Sequence, residues 1–157
     1  MRDTAPFAWN EDPAQRLFTR SYAVRFSHCD PAGIVFFPQY FVLLNGFIED
    51  WFNDGLGINY TDVILRRRIG LPTVSLQCDF VAPSRMGESI DFGLRVERLG
   101  RSSIALQVGV RGADGARLQL RQVLVSTGMD KGCALALPDD LKAALQPWAV
   151  RTTSNWL

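Results

Sequence analysis

The chain has 157 residues, 47% hydrophobic and 21% charged, with a formal net charge of +1. This is one domain's worth of sequence with an ordinary globular composition, and the small net charge supplies no field for nucleic acid or an anionic membrane. Its three cysteines, Cys29, Cys78 and Cys133, are odd in number, widely spaced and without a Cys-x-x-Cys pair; this argues against a disulfide framework or structural zinc and points to the cytosol.

In chain order, residues 1–19 mix two prolines with scattered charge and read as a loosely ordered arm. Asp3, Glu11 and Asp12 interrupt it, so no signal-peptide core is expected there. No later stretch reaches the roughly 20 apolar residues of a membrane span. Residues 19–27 partly alternate, with Tyr22, Val24 and Phe26 on one face, which predicts a strand. Residues 28–39 break that pattern. Asp30-Pro31 and Gly33 carry turn chemistry, and Pro38 suits a first helical turn.

From 38 to about 54 the period is helical, with Phe41, Leu44, Ile48, Trp51 and Phe52 on one stripe and Gly55 and Gly57 as stops. Val42, Leu43 and Phe47 widen the stripe. Such a helix is expected to be buried on most sides. A short helical segment follows over 61–68. Four extended runs come next, over 72–81, 89–99, 103–111 and 117–129. In the last, Leu118 and Leu120 give way to Val123 and Val125, a phase shift that predicts a bulge near Arg121–Gln122. Leu99-Gly100 and Asp114-Gly115 are tight-turn signals, so antiparallel pairing is expected. Residues 138–146 form a short amphipathic helix with acids at its start. The reading is α+β: one curved antiparallel sheet around one long helix. The expected organisation is an arm over 1–19, one domain over 20–147 and a tail over 148–157.

The chemistry is sought in the loop. Asp30 precedes a helix start, whose first N–H groups lack intrahelical partners and carry partial positive charge. Pro38 has no N–H, so the candidate oxyanion donor is the backbone N–H of Phe37, or that of Phe36. A carboxylate and a donor facing one acyl carbon make a minimal acyl-transfer site. On spacing alone, Asp30 reads as a turn residue before Pro31. Cys29 adjoins His28, but neighbours on extended chain point apart, so Cys29 reads as a small packed side chain.

Residues 28–40, His-Cys-Asp-Pro-Ala-Gly-Ile-Val-Phe-Phe-Pro-Gln-Tyr, resemble the signature of the 4-hydroxybenzoyl-CoA thioesterase family, of the hot-dog fold. The resemblance continues at Gly70, Pro72, Ser75, Phe80-Val81 and residues 101–103, and covers roughly 20–130. It implies that Asp30 is the catalytic carboxylate of an acyl-CoA thioesterase, acting as nucleophile or general base. It also implies that the Phe37 N–H meets the thioester carbonyl and that Gly33 permits the tight loop. Arg101 and Ser102, in a strand turn, fall where the family meets the coenzyme A nucleotide; Arg85 and Arg66-Arg67-Arg68 are further cations. Homodimers or homotetramers with sites between subunits are implied, with no metal or redox cofactor.

Two positions depart from the pattern. His28 replaces an acidic residue, and Asn45 replaces the helix aspartate that meets a substrate ring hydroxyl, which leaves an aryl or a short- or medium-chain acyl group open. Glu49, one turn after Asn45, is a reserve carboxylate, otherwise solvated or paired at a subunit contact. Two other functions compete: a hot-dog hydratase or dehydratase, which would rely on His28, and a non-catalytic acyl-CoA-binding protein, to which Asp30 would not matter.

Overall fold

The alternating runs become the strands of one sheet because each has an apolar side chain at every second position, which a single face can bury. The computed structural model describes residues 5–10 and 12–149. Strand β1 (Phe18–Ala23) leads through a 3₁₀ turn (Phe26–His28) and a loop into helix α1 (Phe37–Asp50). The helix runs on as a wider π-type turn (Trp51–Leu56), ended by Gly57 with φ 68°, a left-handed stop that glycine adopts without strain. A second π-type turn (Asp62–Arg66) precedes β2 (Ile69–Gly70), β3 (Thr73–Phe80), β4 (Ser89–Leu99), β5 (Ser103–Gly112), β6 (Gly115–Val125), β7 (Thr127–Gly128) and β8 (Cys133–Ala134). Helix α2 (Asp139–Leu145) follows.

The main sheet is antiparallel, in the order β1-β4-β5-β6-β3, with a small β2-β7-β8 sheet beside it. Ile90, Phe92, Leu94 and Val96 from β4, and Ile104, Leu106, Val108 and Val110 from β5, face α1 and are buried. Tyr40, Leu44, Phe47, Ile48, Trp51 and Phe52 meet them. This is the expected hot-dog arrangement. No helix among the described residues is long and apolar enough to cross a membrane.

Four expectations are corrected. The bulge near Arg121–Gln122 is absent: β6 pairs with β5 without interruption from Leu106↔Gln122 to Gln107↔Arg121. Gln122 itself faces inward, buried, and its Nε2 donates to Thr73 Oγ1 at 2.8 Å. The polar side chain holds the phase, and the irregularity lies across the ladder between Thr73 and Ser75. Second, α1 is covered on one face only, because a five-stranded sheet curves round half of it; Val42 is 61% exposed. Third, the ordered core passes residue 147. Trp148 is buried, 5.9 Å edge-on to Trp51 and 6.3 Å from Phe18; residues 150–157 of the expected tail lie outside the described residues.

Fourth, the described part of the arm is docked on the sheet's outer face. Arg95, buried on that face, donates from Nε to Ala8 O at 2.9 Å, from Nη1 to Gln15 O at 2.7 Å and from Nη2 to Asn10 O. Three carbonyl dipoles thereby replace the water that a buried guanidinium loses. Phe7 and Trp9 lie over Gly109 and Gly93, where a Cβ would come within 2.5 Å and 2.7 Å of their rings. Alanine in place of a strand glycine ordinarily stabilises by about 0.5–1 kcal/mol. Here Gly109→Ala is expected to destabilise by about 1–3 kcal/mol, because the Phe7 ring must move. Urea unfolding of the two proteins reads the sign; a stabilised variant would show that the ring is not held there.

Candidate active site

The loop after β1 is built by its own hydrogen bonds. Asp30 N–H donates to Ile34 O and Gly33 N–H to Asp30 O, each at 3.0 Å. Gly33 sits at φ 75°, a region that strains other residues. The loop is pinned to the segment before β4, with Val35 N–H on Ser84 O and Met86 N–H on Gly33 O, both 2.9 Å. Ser84 is fully buried and takes the Tyr40 hydroxyl at 2.8 Å. The first turn of α1 is thereby fixed against the loop.

Asp30 is half-buried. Its Oδ1 accepts the Ala32 N–H at 2.8 Å; its Oδ2 has no partner among the described residues. Thus the turn role and a free carboxylate oxygen coexist. At the helix start, Phe36 is extended and makes no side-chain cap. Its N–H donates to His28 O at 2.9 Å, and Gln39 N–H to Phe36 O at 2.8 Å. Pro38 has no N–H. Phe37 N–H therefore remains without an acceptor among the described residues, while that of Phe36 is committed.

His28 braces this loop. Its Nδ1 accepts the Arg25 N–H at 3.0 Å, which leaves Nε2 to carry the ring proton in the neutral form. Cys29 Sγ donates to Arg25 O at 3.3 Å. Burial first, and then the Asp79 charge, push the Cys78 thiol up to about 11, so it stays protonated near neutrality. All three cysteines are unpaired. No group of three or more His, Cys, Asp or Glu among the described residues is placed to hold a metal ion.

Beside the helix start stands an aromatic wall. Phe37 and Phe80 rings meet edge to face at 6.1 Å, with Phe36 at 5.7 Å from Phe37 and Tyr40 at 6.2 Å from Phe80. Phe36, Phe37 and Phe80 are each about half exposed. The anchor Ser84 gave no signal in the sequence, because a serine after a proline declares no partner.

The other candidates do not all converge. Asn45 and Glu49 lie on the exposed face of α1, two to three turns from Phe37. Glu49 makes no ion pair among the described residues, but its charge, after burial, raises the Tyr60 phenol. Arg101 and Ser102 form the β4–β5 turn, held by Leu137 N–H on Arg101 O and Ser126 N–H on Ser102 O. Asp30 lies at the opposite end of β4, whose 11 residues span roughly 35 Å. Arg66, Arg67 and Arg68 are engaged by Asp62, Asp140 and Asp130. Arg85 bridges to Ile34 on the loop itself and makes no ion pair among the described residues.

The sheet and the helix packed on it define a hot-dog protein. Residues 24–145 match the model of the thioesterase-like superfamily. The chain is 26% identical over 132 residues to a 1,4-dihydroxy-2-naphthoyl-CoA hydrolase of Synechocystis, covering 83% of this chain and 91% of that one. It is 30% identical over 107 residues to a 4-hydroxybenzoyl-CoA thioesterase of a Pseudomonas species, covering 67% and 76%. A thioesterase-superfamily structure from Jannaschia superposes with a TM-score of 0.78 at 22% identity, covering 89% and 98%. The chain belongs to the thioesterase-like superfamily and is a thioester hydrolase.

Proposed function

We propose that the protein hydrolyses an aryl- or short- to medium-chain acyl-CoA to the free acid and coenzyme A, with Asp30 as the reacting carboxylate. The observation that carries this is the juxtaposition on one short loop of a carboxylate with a free oxygen and an uncapped helix start. Among the described residues the Phe37 N–H has no acceptor, and a helix N-terminus is where an oxyanion gains most. As general base, Asp30 takes a proton from water while the water oxygen bonds to the acyl carbon. The carbonyl becomes an oxyanion on the Phe37 N–H, and collapse expels the thiolate of coenzyme A. As nucleophile, the Asp30 carboxylate displaces that thiolate to form a mixed anhydride, which water then opens. The wall of Phe36, Phe37 and Phe80 offers ring faces to an aryl group, and both relatives are named for aromatic acyl groups.

The site is completed by a second copy. Among the described residues strand β3 pairs only with β6, and Val74, Leu76 and Phe80 along it, with Val81 just after it, are exposed; an open strand edge of this kind is ordinarily covered. Two β3 edges paired antiparallel set the Phe80 end of one chain against the Thr73 end of the other. The β4–β5 turn lies at the Thr73 end, through Ser103↔Val125 and Thr73↔Leu124. The second copy's Arg101 and Ser102 are thereby carried toward the Asp30 loop, where they would meet the nucleotide phosphates. Asn45 and Glu49 would border the acyl group. A tetramer pairs two such dimers, and the unpaired cysteines suit a cytosolic setting.

A panel of benzoyl-, hydroxybenzoyl-, phenylacetyl- and graded aliphatic acyl-CoAs, followed by thiol release, tests the reaction. Tight binding with no turnover on any member would favour the non-catalytic reading. His28→Gln separates the remaining alternative. A dehydratase led by His28 would lose nearly all activity, whereas here the variant is expected to keep thioester hydrolysis within about tenfold, the effect of loosening one loop hydrogen bond. A loss beyond a hundredfold would transfer the chemistry to His28.

A further inference from the structure

The face of the sheet turned away from α1 carries a cavity to which the proposed hydrolysis gives no role. Register places Gln107, Arg121 and Gln77 side by side across β5, β6 and β3, and Gly109, Gln119 and Asp79 in the next row but one. Such alternate residues share one face of a sheet. Phe7 settles over Gly109, and its N–H donates to Gln119 Oε1 at 3.0 Å. Between the ring and the three strands lies a cavity of about 360 Å³, walled by Phe7, Gln77, Asp79, Gln107, Gln119 and Arg121 among others. That volume falls within the range of small-molecule sites.

The wall chemistry narrows the ligand. The Arg121 Nε donates to Glu97 at 2.5 Å, so its charge is already met and does not call for an anion. The side chains of Gln77 and Gln107 make no hydrogen bonds among the described residues. Each therefore presents a carboxamide with two donor hydrogens and one acceptor oxygen. Phe7, whose ring meets Trp9 edge-on at 5.0 Å, offers a ring to stack on. A carboxamide meets a heteroaromatic edge that carries an adjacent donor and acceptor in a bidentate fashion, as it does with adenine.

We propose that this cavity is a second binding site, for a flat uncharged heteroaromatic molecule whose ring lies on Phe7 and whose edge is read by Gln77 and Gln107. Nucleobases and nicotinamide share that chemistry. Calorimetric titration of the full chain with adenosine and with nicotinamide tests it and separates the two sources. Saturable binding of at least one is expected. Gln77→Ala and Gln107→Ala should each weaken it about three- to tenfold, the worth of a hydrogen bond, and Phe7→Ser should weaken it as well. All three positions lie outside the hydrophobic core, and melting temperatures confirm that the variants fold. No saturable binding of either probe overturns the proposal, and so does binding that survives Gln77→Ala combined with Gln107→Ala.

Discussion

Asp30→Ala is expected to lower the rate of thioester hydrolysis by at least a hundred- to a thousandfold, the cost of losing a single oxyanion donor in other acyl-transfer enzymes, since here the reacting group itself is removed. Each tenfold corresponds to about 1.4 kcal/mol of barrier. The alanine also removes the acceptor of the Ala32 N–H, so part of its effect could come from a loosened loop. Asp30→Asn resolves this. Its side-chain oxygen still accepts from Ala32, yet the amide is neither a base nor a nucleophile. Asparagine is therefore expected to keep the fold and melting temperature while losing activity as fully as alanine. An asparagine variant within a few-fold of wild type in kcat would reduce Asp30 to a turn residue and leave the reaction without its carboxylate.

Phe47→Ala should cost about 3–5 kcal/mol of stability, as other buried phenylalanines do. Phe47 is fully buried at the crossing of α1 and the sheet. Its ring stacks on Phe18 at 5.5 Å, lies 5.4 Å from Phe92 and meets Tyr22 edge-on at 6.4 Å. These neighbours come from β1 and β4, which cannot collapse into the space without breaking their ladder. Against a total of about 5–15 kcal/mol for a domain, the loss takes a large part of the whole. In urea the midpoint should fall with the slope unchanged. A shift under about 1 kcal/mol would mean that the ring does not hold helix and sheet together.

The core strands and the helix were legible because their patterns are local. The alternation in β4 and β5 and the stripe from Phe41 to Phe52 need only the next few residues to declare themselves. Gln122 was misread because polarity was taken for exposure, whereas its amide is held inside by Thr73, about fifty positions away in sequence. The arm was misread for a related reason. Phe7 and Trp9 look like isolated aromatics until Gly93 and Gly109, on strands far along the chain, provide floors low enough to receive them. Arg95 reads as a solvent-facing charge on an alternating strand, yet it is buried under three carbonyls of the arm.

At the site, the sequence by itself determined the loop, its glycine, the helix start that follows and the carboxylate before them, since all lie within a dozen residues and obey turn and cap chemistry. Only the tertiary structure decided which N–H is left over: Phe36 gives its own to His28 O, and Phe37 has no acceptor among the described residues. It likewise decided that Arg66, Arg67 and Arg68 are consumed by carboxylates and that Arg101 stands at the far end of the sheet from Asp30. The physical reason is that a hydrogen bond or ion pair is a choice among all partners the fold brings near, and residues distant in the chain become candidates only once the sheet has set its register.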